Sequence, residues 1–263
     1  MSEIYKNSQI WLTIDIEEII NTNFHINWHS NPKVNYERAV TNWINLCSQL
    51  NCKSTCFVLG SFAKTHPNLI KKLSENGHEI ASHGMDHRLV NKIDIVQWQE
   101  SIENSKKILE DISGSEVVGY RAARWSMPFE KQYYEILAQN GYKFSSSYFP
   151  IKTYMYGNSI DRKDPFIVDT DFGEIEEIPV PKFIIPFSGG FYLRVLPLIL
   201  QKYLFKKLRN GGHKPVIYIH PYELFRKNML LDYYRSTSLN IDYFLAFFSI
   251  SNPVEKIKSI YKK

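Results

Sequence analysis

The strongest constraint on what this chain can fold into is an alternation that runs along most of its length. Apolar runs at residues 10–14, 55–59, 78–82, 117–121, 142–146, 174–180 and 216–219 read as strands. Between them, residues 36–49, 67–76, 93–112, 128–140 and 193–208 have helical periodicity. The boundaries carry their own signals. Pro67 opens one helix and Gly77 closes it, while Asp94 caps the next and Gly114 stops it. Strands that alternate with helices predict a parallel α/β barrel in a single domain. The stretch 149–172 is polar and aperiodic and is expected to be irregular, and a basic tail is expected from about residue 250.

In parallel barrels the chemistry sits at the C-terminal ends of the strands. Asp15, Glu17, His83, Arg121 and His220 each fall at or just after the end of an expected strand. With Ile14 and Ile16 interleaved, Asp15 and Glu17 point to the same face. Two carboxylates held together there need a cation or an arginine to offset them. His83 and His87 offer two imidazoles and Glu17 a carboxylate, a set that suits a divalent metal with one position left open for water. Asp15 is then placed to accept a proton from that water.

Each of these residues also has a plainer reading. His-x-x-x-His is a weak signal alone, and His25 with His29 repeats it in an expected loop, where a surface or substrate-contact role fits better than ligation. His220 is read either as a satisfied core histidine or as an exposed imidazole, and Pro221 breaking the strand behind it favours the second. Arg124 and Trp125 are either ordinary loop residues or contacts for a substrate.

Composition sets the outer limits. With 263 residues, 44% hydrophobic and 22% charged, the chain can bury a sizeable core. A formal charge of +5 is mild and points to no nucleic-acid partner. Lysines gather in 202–209 and 256–263. These read as a solvated helix face and a tail, or as a peripheral contact of the C-terminal region with an anionic membrane surface, since 244–250 is apolar. Cys47, Cys52 and Cys56 cannot all pair within one chain and are expected to fill the core in a reducing compartment. No apolar stretch precedes the first strand, so a cytoplasmic location, at most peripheral to the inner membrane, is expected.

Three segments resemble motifs of the polysaccharide deacetylase superfamily: Glu79-Ile-Ala-Ser-His-Gly-Met-Asp-His-Arg-Leu-Val90, Gly119-Tyr-Arg-Ala-Ala-Arg-Trp-Ser126 and Tyr218-Ile-His-Pro-Tyr-Glu223. The Asp-x-Glu start, the serine run ending at Pro150 and the segment from Gly189 to Pro197 resemble the branch associated with bacterial exopolysaccharide and surface glycans. The resemblance implies a distorted (β/α) barrel with about seven parallel strands. It implies Asp15 as catalytic base, Glu17, His83 and His87 as metal ligands, and Arg121 as the group that holds Asp15. It also implies oxyanion stabilisation near Arg124 and His220 as general acid. Zinc is the first expectation for the metal, with cobalt, nickel or manganese also suited to such ligands. The substrate implied is an N-acetylated glycan or its precursor.

There are departures from the superfamily pattern. The usual adjacent aspartates are replaced by Asp15 and Glu17, a usual proline by Ala123, and the acid that usually orients the terminal histidine by Ser145. Asp169, Asp171 and Glu174 are then candidates for that orienting role. Two alternatives follow: an amidohydrolase acting on a small imide, ureide or formyl amide, and a glycan-binding protein that has lost catalysis.

Overall fold

A computed structural model describes residues 2–21, 35–149, 162–183, 186–224 and 253–262. His25, His29 and the apolar run 244–250 lie outside the described residues. Helix α1 (Glu3–Asn7) leads into β1 (Trp11–Ile16), α2 (Tyr36–Gln49) and β2 (Thr55–Val58). Then come α3 (Gly60–Thr65), α4 (Pro67–Glu75), β3 (Glu79–Ser82), α5 (Ile95–Ser113) and β4 (Gly119–Tyr120). Next are α6 (Lys131–Gln139), β5 (Phe144–Ser145), β6 (Phe166–Thr170) and β7 (Gly173–Glu177). The chain continues through α7 (Gly190–Val195), α8 (Leu198–Asn210), β8 (Val216–Ile219) and, last, α9 (Val254–Tyr261).

The strands form one curled, half-barrel sheet in the order β6-β7-β5-β4-β3-β2-β1-β8. Every neighbouring pair is parallel except β6 with β7. The expected parallel strands are therefore present, with β6 added as an antiparallel edge. The outer strands approach through a seam where His213 Nδ1, ahead of β8, lies 2.7 Å from Asp164 Oδ1, ahead of β6.

Strand periodicity decides what faces the barrel interior. Along β1, Leu12, Ile14 and Ile16 join the outer core against the helices, while Trp11 belongs to the inner cluster. The same alternation sends Phe57, Ala81, Val216 and Tyr218 inward, and Cys56, Val58, Ile80, Ile217 and Ile219 outward. The interior is filled by aromatic rings: Tyr5 and Phe57 meet Trp11 edge-on at 5.2 Å and 6.0 Å. Gly119 is required here. A Cβ on it would stand 2.1 Å from the Phe144 ring, which fills the interior below Arg121.

Most element boundaries match the sequence pattern, including α2 and the caps Asp94 and Gly114 of α5, the latter left-handed at φ 66. Four features differ. Helix α3 was not anticipated, because it is short and has no side-chain cap. The expected helix over 193–208 breaks at Leu196, and Pro197 caps the next one. Within the stretch read as irregular, 166–170 forms β6, an edge strand whose residues alternate between half-buried and exposed. The expected basic tail contains α9, which buries Ile257 and Ile260 in the core. Lys256 Nζ donates to the carbonyls of Leu193, Arg194 and Leu196 at the end of α7, at 3.1, 2.8 and 3.1 Å. The three cysteines are free thiols, two of them buried. Among the described residues, no helix is long and apolar enough to cross a membrane.

His78 at the entry to β3 gives a pH prediction. Its Nδ1 accepts from the Ser54 N–H at 3.2 Å and lies 2.8 Å from Ser54 Oγ, which holds the ring neutral. Burial, reinforced by the Lys53 charge, lowers its pKa to about 4. Between about pH 6.5 and 4 the unfolded chain takes up this proton and the folded chain does not. Stability is thus full above pH 6.5 and falls by up to about 3 kcal/mol as pH drops towards 4. Urea unfolding at pH 7, 5.5 and 4.5 checks this, and the decline should be clearly shallower in His78→Gln.

Candidate active site

Because the inward parity of each strand continues past its end, Asp15, Glu17, His83, Arg121 and His220 all emerge on the inner side of the sheet at one end of the barrel. Glu17, His83 and His87 each offer a ligand atom, and the three atoms lie within 4.8 Å of one another, all on buried residues or side chains. His83 is oriented by its Nδ1, which donates to the Arg121 carbonyl oxygen at 2.7 Å and leaves Nε2 to face the cluster. His87 Nε2 lies 3.0 Å from Glu17 Oε2.

The electrostatics suit a cation. Burial lifts the Glu17 carboxyl to about 8, despite the opposing pull of His220, and its buried Oε2 faces the His87 ring 3.0 Å away. Burial also pushes His83 down and His87 well below the ordinary imidazole range, so both stay neutral and able to ligate. A carboxylate too costly to leave charged alone, beside two neutral imidazoles, is a donor set that a divalent cation completes. The residues fit a metal, and the chemistry of the donors accommodates zinc.

Asp15 is different. Burial raises its pKa, but Arg121, His83 and His220 together outweigh that and hold it below the usual carboxylate range. Arg121 Nη1 donates to Asp15 Oδ1 at 2.7 Å and to Thr13 Oγ1 at 3.0 Å. Its Nη2 donates to Ser146 Oγ at 3.0 Å and its Nε to the Ser146 carbonyl at 3.3 Å. The guanidinium also stacks 4.0 Å from the centre of the Phe57 ring. Asp15 is thus an ionised carboxylate held in one orientation.

The serine run that follows β5 is a bracket for this arginine. Ser146 takes the guanidinium, and Ser147 Oγ accepts from the Ala122 N–H at 2.9 Å. Buried Glu177 fixes the bracket from behind, accepting the Ser147 N–H at 2.7 Å and the Tyr134 hydroxyl at 3.1 Å. Sequence reasoning passed over Glu177, which lies on a neighbouring strand with no motif around it.

His220 Nε2 stands 3.8 Å from Glu17 Oε1, and its side chain keeps 18% exposure. Its orienting acid is Glu223, whose Oε2 lies 3.0 Å from His220 Nδ1 and accepts the His220 N–H at 3.0 Å. The other Glu223 oxygen is 2.9 Å from buried Arg194 Nε, at the end of α7. Burial disfavours the charged imidazole, yet Glu223, Glu17 and Asp15 outweigh it and raise His220 to about 9. This corrects the expectation that Asp169, Asp171 or Glu174 fills the role. Those three sit exposed in the β6–β7 hairpin, where Asp171 pairs with Lys131 at 2.9 Å. Ser145, at the position where an acid was expected, donates to Ser147 Oγ at 2.9 Å. The available signal was the three-residue spacing from His220 to Glu223, since side chains at i and i+3 eclipse in the short 3-10 turn begun by Pro221.

Arg124 and Trp125 occupy the left-handed region at φ 50 and φ 49, a strained conformation for non-glycine residues. The Arg124 charge acts on both Glu17 and His87. Trp125 is not an exposed sugar platform. Its ring packs inward, 4.9 Å from Phe149 and 4.8 Å from Tyr218, and its backbone N–H donates to the Ala122 carbonyl.

Comparison with known proteins bears on the family and the fold. A peptidoglycan-N-acetylglucosamine deacetylase from Bacillus cereus is 32% identical over 66 residues, which is 25% of this chain and 24% of that protein. The chain thus matches only about a quarter of that relative's own length. A Mycobacterium smegmatis structure assigned to the polysaccharide deacetylases superposes with a TM-score of 0.55 at 25% identity, covering 70% of this chain and 64% of that one. A family 4 carbohydrate esterase from Streptomyces lividans, solved with acetate, shares the fold over 97% of this chain and 90% of its own, with a TM-score of 0.51 and 12% identity. Residues 146–260 match a family described as a domain of unknown function, DUF3473. Strands from that stretch and from the preceding one pair in a single sheet. The polysaccharide deacetylase family model matches residues 7–145, more than half of the chain, and the chain belongs to that family.

Proposed function

We propose that the protein is a metal-dependent N-deacetylase, which hydrolyses the acetamide of an amino sugar in a bacterial surface glycan or its precursor. The observation that supports this best is the convergence, around one buried three-ligand cluster, of an ionised aspartate and an acid-oriented histidine. A divalent cation held by Glu17, His83 and His87, zinc in our reading, would supply Lewis acidity to activate water and polarise the amide carbonyl.

The chain's own residues do the rest. Asp15, kept ionised by Arg121, accepts the proton of the attacking water. Charge then develops on the former carbonyl oxygen, and we assign its stabilisation to the strained turn at Arg124. The amine is a poor leaving group until protonated, and His220, kept cationic by Glu223, Glu17 and Asp15, delivers that proton. The products are acetate and a free amino sugar.

Both matched stretches act as a single catalytic unit in this reading, with base and ligands from one and the acid from the other. A cytoplasmic protein would meet lipid-linked or nucleotide-linked sugar intermediates rather than a finished wall polymer. Ser145 and Ala123 suggested lost catalysis, but Glu223 supplies the partner that Ser145 lacks.

His83→Ala is expected to reduce zinc stoichiometry from about one per chain to near zero and to abolish acetate release from N-acetylated oligosaccharides. The check is metal analysis after dialysis, alongside an acetate assay on sugars, ureides and formyl amides. Full turnover by His83→Ala, or by wild-type protein stripped with chelator, would overturn the metal reading. Activity confined to ureides or formyl amides would overturn the sugar substrate.

A further inference from the structure

Helix α8 carries a solvent face unlike those of the other long helices. Gln201, Leu204, Phe205 and Leu208 face the protein. At about 100° per residue, Ile199, Lys202, Tyr203 and Lys206 fall together on the opposite side. Ile199 is 85% exposed, Tyr203 59% and Leu200 37%. Lys202 and Lys206 are exposed as well.

In three other helices a lysine has a glutamate one turn away: Lys71 with Glu75, Lys106 with Glu110 and Lys131 with Glu135. Helix α8 has no acidic residue at all. Apolar side chains rimmed by unbalanced lysines are the pattern of a helix lying in the lipid headgroup boundary. A protein partner is the poorer fit. One helix face of 13 residues falls well short of the roughly 1,200 Å² of a stable interface, and interface centres are depleted in lysine.

We propose that this face of α8 docks the protein on an anionic lipid surface. Ile199, Leu200 and Tyr203 enter the interface, and Lys202 and Lys206 meet the lipid phosphates. The helix begins four residues after Arg194, which bears on Glu223 and through it on His220. Docking therefore brings the catalytic end of the barrel close to lipid-borne material. That consequence rests on the deacetylase reading, whereas the docking itself does not.

The test is co-sedimentation of the full chain with phosphatidylcholine vesicles, pure or containing about one third phosphatidylglycerol. Wild-type protein is expected to pellet with the anionic vesicles only, and molar salt should release it. The double variants Ile199→Ser/Tyr203→Ser and Lys202→Glu/Lys206→Glu should each bind at least about tenfold less. Both should keep the wild-type circular dichroism spectrum and turnover on a soluble acetylated substrate, because the altered side chains lie on the surface. Wild-type protein left in the supernatant with anionic vesicles, or variants that pellet like wild type, would overturn the proposal. So would a concentration-dependent dimer in lipid-free solution that Ile199→Ser/Tyr203→Ser abolishes, since a second copy would then own the face. Pelleting needs no turnover, so failure of docking and failure of the deacetylase reading are told apart.

Discussion

Asp15→Asn is expected to lower kcat on an N-acetylated glycan by roughly 10²–10⁴-fold, the usual contribution of a positioned general base. The substitution is close to isosteric. Its amide oxygen can still accept from Arg121 Nη1, now 2.7 Å from Oδ1, so the bracket around the guanidinium should survive. None of the three ligand atoms belongs to Asp15, so zinc stoichiometry should stay at the wild-type value. The informative pattern is loss of turnover with retained metal and an unchanged unfolding midpoint. Near-normal acetate release would remove Asp15 from the chemistry, and simultaneous loss of metal would recast it as a ligand.

Arg121→Met should have the largest effect on stability, about 3–5 kcal/mol, because it leaves a buried carboxylate without its partner. The side chain is fully buried and holds Asp15, Thr13 and Ser146 at once. The pH dependence separates loss of charge from loss of packing. In the wild type, Asp15 titrates below its unfolded value, so its contribution is complete above about pH 4 and is lost as the solution is acidified further. Without Arg121, burial is expected to win and lift the Asp15 pKa. The variant should then gain stability relative to wild type as pH falls from 7 towards 4. Urea unfolding of both proteins across that range is the measurement, and a constant offset would mean that packing alone was lost.

Much of the site could be read from the chain because strand alternation is local. Asp15, Glu17, His83, Arg121 and His220 each continue the inward parity of the strand before them, set by residues such as Trp11, Ala81 and Tyr218. What could not be read depends on contacts between distant elements. Arg194 reaches Glu223 only because the expected long helix breaks at Pro197 and leaves α7 free to pack beside the last strand. Glu177 matters only because β7 lies next to β5, a pairing without a local signature. The inward packing of Trp125 had no local signature, because an aromatic residue beside a motif arginine looks the same in sequence whether it faces solvent or core. The edge strand β6 lacks a burial pattern that would mark it, since none of its residues is buried.

The single sheet has an evolutionary corollary. Strand β1, which carries Asp15, is flanked by β2 from its own stretch and by β8 from the other, and β8 leads directly into His220. Cutting the gene between the two stretches would separate Asp15 from His220 and expose raw backbone along β1 and β5. Neither stretch alone would keep this sheet paired, so the two are expected to be inherited as a linked pair.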